Sequence, residues 1–128
     1  MSEPFWLTRQ IIIAVHDEQL AAHGGASGLR DEAMLESALD RPRHRWADQG
    51  AGLAELAAAY AFRIARNHPF VDGNKRTSLL ALYTFLGMNG VDFDVPEAEA
   101  AAMILSLAAG EVDEFGLTRW MRDNWPSE

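Results

Sequence analysis

Residues 68–90 read His68-Pro69-Phe70-Val71-Asp72-Gly73-Asn74-Lys75-Arg76 and then Thr77-Ser78-Leu79-Leu80-Ala81-Leu82-Tyr83-Thr84-Phe85-Leu86-Gly87-Met88-Asn89-Gly90. Two kinds of sequence meet here. The first packs one His, one carboxylate, one Gly, one Asn and two cations into nine residues. The second places Leu79, Leu80, Leu82, Tyr83, Phe85, Leu86 and Met88 nearly all round a helix that Gly73-Asn74 opens and Gly90 closes. A helix that is apolar on every side belongs in the middle of a domain. The segment therefore predicts an all-α fold built around a buried central helix, with a polar loop delivered to the start of that helix.

The flanking patterns are helical as well. Thr8 caps a helix running to about His23, with Ile12, Val15, Gln19 and Ala22 near one face, and Gly24-Gly25 stops it. Asp31 to Leu39 reads as a short second helix with Met34, Leu35, Ala38 and Leu39 inward, ended by Arg41-Pro42. Residues 41–52 read as an exposed connection. Leu53 to about Asn67 is a third helix, with Leu53, Leu56, Ala57, Tyr60, Ala61 and Ile64 at helical spacing. Pro96 fits the first position of a fifth helix ending at Gly110, and Glu114 to about Asn124 makes a sixth. With no repeats, linkers or low-complexity segments, residues 1–128 read as one domain.

Composition sets the class. At 128 residues and 48% hydrophobic, the chain can fold without a disulfide or metal staple, and it has no Cys. Met1-Ser2-Glu3-Pro4 lacks the basic and apolar regions of a signal peptide. The strongly apolar stretch Leu79 to Met88 falls far short of the ~20 residues of a membrane span. The expectation is a soluble, cytoplasmic protein. A net charge of −8 argues against direct nucleic-acid binding. The charge is uneven: residues 41–76 hold seven basic groups and three acidic ones. A positive island can attract a compact anion such as a nucleotide, and it is equally a chance clustering on a solvated face.

Each residue of the loop has a chemical task open to it. The free N–H groups of a helix N-terminus form an anion site, and Gly73 removes a side chain so that a phosphate can approach the backbone. Lys75, the only Lys of the chain, and Arg76 fall in the first turn, where cations oppose the helix dipole by about 0.3–1 kcal/mol each unless a polyphosphate is bound. Asp72 suits Mg²⁺, which is bound through one or two carboxylates plus substrate phosphates. His68, with an ordinary pKa near 6.5, can take a proton from a hydroxyl at neutral pH. Each has a plainer reading too: His68 as a capping residue, Asp72 and Asn74 as N-caps, Lys75 and Arg76 as solvated cations, Phe70 as a core anchor. The combination tips the balance, because base, metal ligand and anion cradle occur together.

The segment resembles the signature of the Fic/Doc superfamily, His-x-Phe-x-Asp/Glu-Gly-Asn-Gly-Arg-x-x-Arg. His68, Phe70, Asp72, Gly73, Asn74 and Arg76 fall in register. Lys75 replaces the third small residue and Leu79 the second Arg. Both departures are similar to the death-on-curing (Doc) branch, whose motif reads His-x-Phe-x-Asp-Ala/Gly-Asn-Lys-Arg. The runs Gly24-Gly25-Ala26-Ser27-Gly28-Leu29-Arg30-Asp31 and Leu35-Glu36-Ser37-Ala38-Leu39, and Asn89-Gly90, also resemble Doc proteins, so the likeness covers most of the chain.

The resemblance implies a Fic/Doc fold of about six helices and the toxin of a type II toxin–antitoxin system. It implies His68 as the base that deprotonates a target hydroxyl, Asp72 as the Mg²⁺ residue, and Gly73, Asn74, Lys75 and Arg76 as the ATP-phosphate cradle. It implies transfer of the terminal phosphate to a translation elongation factor such as elongation factor Tu, which arrests translation. It also implies a Phd-type antitoxin whose C-terminal segment folds against the toxin. Segments preceding the third helix of Fic proteins form flaps that dock the target, which gives Arg43, His44 and Arg45 a target-contacting role. A Lys at 75 and the missing Arg at 79 re-seat the triphosphate, which supports phosphate transfer. AMP transfer with the same residues and a catalytically silent binding module are the alternatives, and intact His68, Asp72, Asn74 and Arg76 count against the last.

Overall fold

A computed structural model describes residues 2–127 as six helices: α1 (Arg9–His23), α2 (Glu32–Gln49), α3 (Leu53–Asn67), α4 (Asn74–Met88), α5 (Glu97–Ala108) and α6 (Glu114–Asp123). Among the described residues there is no strand, only an isolated antiparallel bridge between Leu29 and Phe70. The all-α reading holds. Local chemistry sets the starts: Thr8 Oγ1 accepts from Ile11 N (3.2 Å), Asp31 Oδ1 from Met34 N (3.1 Å) and Asp113 Oδ1 from Gly116 N (2.7 Å). Pro96 precedes the first turn of α5 rather than opening it.

The second helix departs most from expectation. It does not end at Pro42 but runs through it to Gln49, and Gly50 closes it in the left-handed conformation at φ 62°. Residues 41–49 are therefore not an exposed connection. A proline in a helix interior costs about 3 kcal/mol, so tertiary packing must offset it. Pro42 is itself buried, and Trp46 meets Trp6 edge to face at 6.1 Å. Arg45 is buried too, bonded to Glu114, to Glu55 Oε2 at 3.2 Å and to Gln49 Oε1 at 3.2 Å. This cluster ties α2 to α3 and α6, and Arg122 of α6 adds a bond to Glu55 at 2.7 Å. The segment expected as a flap is helical: Arg45 points into the protein, whereas Arg43, over the Trp6 ring at 5.5 Å, and His44 stay exposed. Met34, expected inward, is 36% exposed.

The most enclosed helix is α3. It packs against α2, α4, α5 and α6, and Leu56, Ala57, Ala58, Ala59, Tyr60, Ala61, Ile64 and Ala65 on it are fully buried. Its many alanines let neighbours approach closely along most of its surface, while Arg66 stays exposed. On α4 the fully buried positions are Thr77, Ser78, Ala81, Leu82, Phe85 and Leu86, while Leu79, Leu80 and Tyr83 remain half-buried. The N-terminal segment is pinned to the far end of α4 by Asn89, which accepts from Phe5 N (2.8 Å) and donates to Phe5 O (3.0 Å). No helix among the described residues is long and apolar enough to cross a membrane. The outcome for function is that the polar loop 68–73 joins the two helices packed most extensively against each other.

Candidate active site

The loop starts at His68, the residue that caps α3 and the only non-glycine among the described residues with positive φ, at 50°. A left-handed residue at a helix end lets the chain turn sharply, and it turns the exposed His68 side chain outward. The conformation is held from outside. Arg30 Nε donates to His68 O at 2.6 Å and Arg30 Nη2 to Asn67 O at 2.7 Å, covering the last carbonyls of α3. Arg30 N and Asp31 N both donate to Pro69 O, and Val71 N donates to Gly28 O. The segment Gly28–Asp31 thus clasps the segment Asn67–Val71. Sequence alone gave Arg30 no task.

Phe70 is buried and anchors the loop in the core, as expected. Asn74 closes the turn: its Oδ1 accepts from Phe70 N and its Nδ2 donates to Phe70 O, both at 2.9 Å. The Asn74 side chain is therefore turned inward. Neither Asp72 nor Asn74 caps α4. The capping position belongs to Gly73, at φ 77°, with no side-chain cap. The first N–H bonded back into this turn is that of Thr77, to Gly73 O at 3.0 Å. An uncapped helix N-terminus leaves its leading N–H groups free for an anion.

Asp72 is exposed and anchored at both oxygens, Oδ1 accepting from Gly73 N (2.8 Å) and Oδ2 from Ala26 N (3.3 Å). A carboxylate has about four lone-pair directions, so capacity for a cation remains. Gly25 permits this approach, since a Cβ there would fall 2.8 Å from Asp72 Oδ2.

Two cavities meet at this loop. The larger, about 630 Å³, is bounded by Asp72, Gly73, Asn74, Lys75, Arg76 and His68 on its polar side. Its other side is apolar, with Leu79, Leu80, Ala101, Ile104 and Leu105. That volume and mixture suit a small-molecule ligand. The second cavity, about 440 Å³, is bounded by His68 and Lys75, by Leu105, Ser106 and Ala108 at the end of α5, and by Ala109 and Glu111 just beyond it. His68 and Lys75 line both. Among the described residues neither Lys75 nor Arg76 is in an ion pair. The wider basic island does not converge: Arg63 and Arg66 lie over Phe62, and Arg45 is spent on Glu55 and Glu114.

The structure thus brings His68, Asp72, Gly73, Lys75, Arg76 and the main chain of Asn74 to one cavity. It adds residues that sequence reasoning passed over. His23 and Glu97 line the larger cavity, and His16 and Gln19 of α1 lie beneath the loop. The signal available for the last two was polarity on a buried stripe, since Ile12, His16 and Gln19 recur at helical spacing.

Comparison with known proteins agrees with this geometry. Residues 6–86 match the profile of the Fic/DOC family. "Protein kinase doc" of Escherichia phage P1 is 38% identical over 103 residues, covering 79% of this chain and 80% of that protein. "Toxin Doc" of Mycolicibacterium smegmatis is 45% identical over 84 residues, covering 61% of this chain and 65% of that protein.

Proposed function

The chain belongs to the Fic/Doc family, and on that premise we propose that it is a toxin acting as a protein kinase, moving the terminal phosphate of Mg-ATP to a hydroxyl of a target protein. The observation that carries this reading is the shared wall of the two cavities. His68 and Lys75 stand between a polar–apolar cavity at the uncapped start of α4 and a second cavity, which in this reading takes the target's side chain.

In this reading the purine lies on the apolar side by Leu80 and Ile104, and the phosphates pass close to Gly73 and meet the main-chain N–H groups of Asn74 and Lys75. Arg76 and Lys75 add charge that is in no ion pair among the described residues. The donor set fits Mg²⁺ only together with nucleotide. Asp72 offers one anchored carboxylate, and no cluster of three or more metal-ligating side chains occurs among the described residues. Bound there, Mg²⁺ would offset charge on the transferring phosphate.

His68 accepts the proton of the target hydroxyl. The hydroxyl oxygen bonds to the terminal phosphorus, the bond from that phosphorus to the bridging oxygen breaks, and ADP leaves. Lys75 fills the place where a small residue would let a phosphate sink toward the backbone. Leu79 puts an apolar side chain into the cavity wall where an Arg would bind phosphate. Both favour presenting the terminal phosphorus rather than the first.

The family premise extends the reading to a cytoplasmic toxin neutralised by a Phd-type antitoxin and acting on a translation elongation factor such as elongation factor Tu. The test is incubation of the purified protein and Mg-ATP with bacterial extract, followed by intact-protein mass spectrometry. A target gaining one phosphate supports the proposal. A target gaining AMP, or no modified protein alongside tight binding of a partner, replaces it with one of the two alternatives.

A further inference from the structure

We propose that His16 is the positioning residue of the metal site, holding Asp72 in place from beneath through its main chain. The proposal rests on Asp72 as the metal-binding residue, as read above.

Three observations meet at this side chain. His16 Nε2 lies 2.8 Å from Asp72 O. A carbonyl oxygen only accepts, so Nε2 carries the hydrogen and donates. The imidazole is stacked on Phe70, with centroids 3.8 Å apart and planes within 8°. The ring is 1% exposed, although it belongs to a residue type that is commonly half-exposed. Phe70 is fixed in turn by the two bonds of Asn74. His16 therefore has a rigid neighbour on one face and one hydrogen bond to the protein, at Nε2, while Nδ1 lies 3.8 Å from Asp17 Oδ1.

Asp72 itself is exposed and lies between glycine-rich stretches. Gly73 follows it at φ 77°, and the Gly24-Gly25-Ala26 run that meets its carboxylate is exposed, with Gly25 at φ 122°. The bonds from Gly73 N and Ala26 N orient the carboxylate relative to its own loop and the exposed 24–26 run. The bond from His16 ties the main chain of residue 72 to the buried face of α1. Groups that orient a metal-binding side chain typically change metal affinity about 10–100-fold when removed.

The experiment compares His16→Phe, which keeps the stacked ring and loses the N–H, with His16→Gln, which loses the ring and keeps an N–H donor of similar reach. Mn²⁺ binding in the presence of ADP is followed by electron paramagnetic resonance, beside thermal melting and the Mg²⁺ dependence of phosphate transfer. His16→Phe should weaken Mn²⁺ binding and raise the Mg²⁺ needed for half-maximal transfer by about tenfold or more, with transfer at saturating Mg²⁺ much less affected. His16→Gln should recover most of the Mn²⁺ affinity. In the unaltered protein, ¹⁵N spectra should show an exchange-protected His16 Nε2–H whose shift moves when Mg-ADP binds. This last measurement decides even if a variant fails to fold.

A His16→Phe protein that binds Mn²⁺ as the unaltered one does, or a ring N–H indifferent to Mg-ADP, overturns the proposal. Asp72→Asn separates the two readings. If it also leaves Mn²⁺ binding unchanged, the metal role of Asp72 fails, and His16 loses its role with it. If Asp72→Asn loses binding and His16→Phe does not, only the positioning role falls.

Discussion

Gln19 occupies the space that a side chain on Gly73 would need: an ideal Cβ there would lie 2.1 Å from Gln19 Nε2. Position 73 is thus glycine for two reasons besides access for phosphate. Its φ of 77° disfavours an L side chain by about 1–2 kcal/mol, and the amide of a buried helix residue blocks the other side. Gly73→Ala should cost about 2–4 kcal/mol of stability from strain and crowding together. Adding Gln19→Ala should restore the crowding part and leave the φ part. Denaturant unfolding of the single and double variants checks this. An additive double variant would mean that Gln19 and Gly73 do not meet.

His68 is held in a left-handed conformation, so the substitution that tests its chemistry must tolerate that backbone. Asn does so better than Ala. His68→Asn should keep the melting temperature within a few degrees and lower phosphate transfer about 10²–10⁴-fold, the usual worth of a general base. Single-turnover transfer beside thermal melting separates the two effects. Full transfer by this variant would reduce His68 to a cap of α3.

The helices and the reactive loop were legible because both are written locally. Thr8, Asp31 and Asp113 are caps, Gly24 and Gly90 are stops, and His68 to Arg76 is one contiguous segment. What escaped is set by packing between distant segments. Pro42 looked like a helix end because its local penalty is real. The long-range bonds of Arg45 to Glu55 and Glu114, with burial of Trp46 against Trp6, outweigh it. Arg30 and His16 reach the loop from 38 and 56 residues away, and no local pattern reveals such partners. The choice of the most enclosed helix shows the same limit. The large apolar residues of α4 pointed to the centre, while the small ones of α3 take it, because alanines let neighbours approach closely.

The Arg45 cluster makes a sharp prediction about stability. Removing one partner of a buried ion pair strands the other charge, at a cost of about 3–5 kcal/mol. Arg45→Met should approach that figure, because Glu114 is nearly buried and Glu55 is shared with only one other cation, Arg122. Arg43→Glu, at an exposed position, should cost far less. Urea midpoints for the two variants check the contrast. Equal, small losses would show that α2 does not need the cluster to pass Pro42.

Tyr60 predicts how the fold responds to alkali. Its buried hydroxyl accepts from Leu7 N at 3.1 Å, and burial pushes its pKa up to about 12 from 10.0. The folded state holds this proton more tightly than the unfolded chain. The resulting stability is full below pH 10 and is lost as pH rises toward 12, in total about 2–3 kcal/mol. Tyr83, raised by burial and by Asp94 and Glu97, acts in the same direction. Tyr60→Phe should lose about 1–3 kcal/mol at neutral pH, because Leu7 N is left without its acceptor. It should also show a shallower fall in stability between pH 10 and 12. Chemical denaturation across that range tests the difference. Parallel curves would place the alkaline loss elsewhere.

On the proposed reading, Lys75 sets which phosphorus is transferred. It sits in the first turn of α4, exposed, on the wall common to both cavities and free of any ion pair among the described residues. A cation there opposes the helix dipole when the site is empty and favours a polyphosphate when one is bound. If its side chain sets the pose of ATP, Lys75→Gly removes one charge contact and lets the triphosphate slide toward the backbone. Phosphate transfer should then drop at least tenfold, the effect of about 1.4 kcal/mol in the barrier. Weak AMP transfer should emerge. Leu79→Arg added to it should strengthen that gain, because position 79 lines the same cavity and is only half-buried, so a guanidinium there can reach solvent or phosphate. Intact-mass measurement of the modified target with each variant reads the outcome directly. AMP addition by the unaltered protein, or full-rate phosphate transfer by Lys75→Gly, would remove Lys75 as the basis of the kinase reading and return the choice between the two reactions to the target's own geometry.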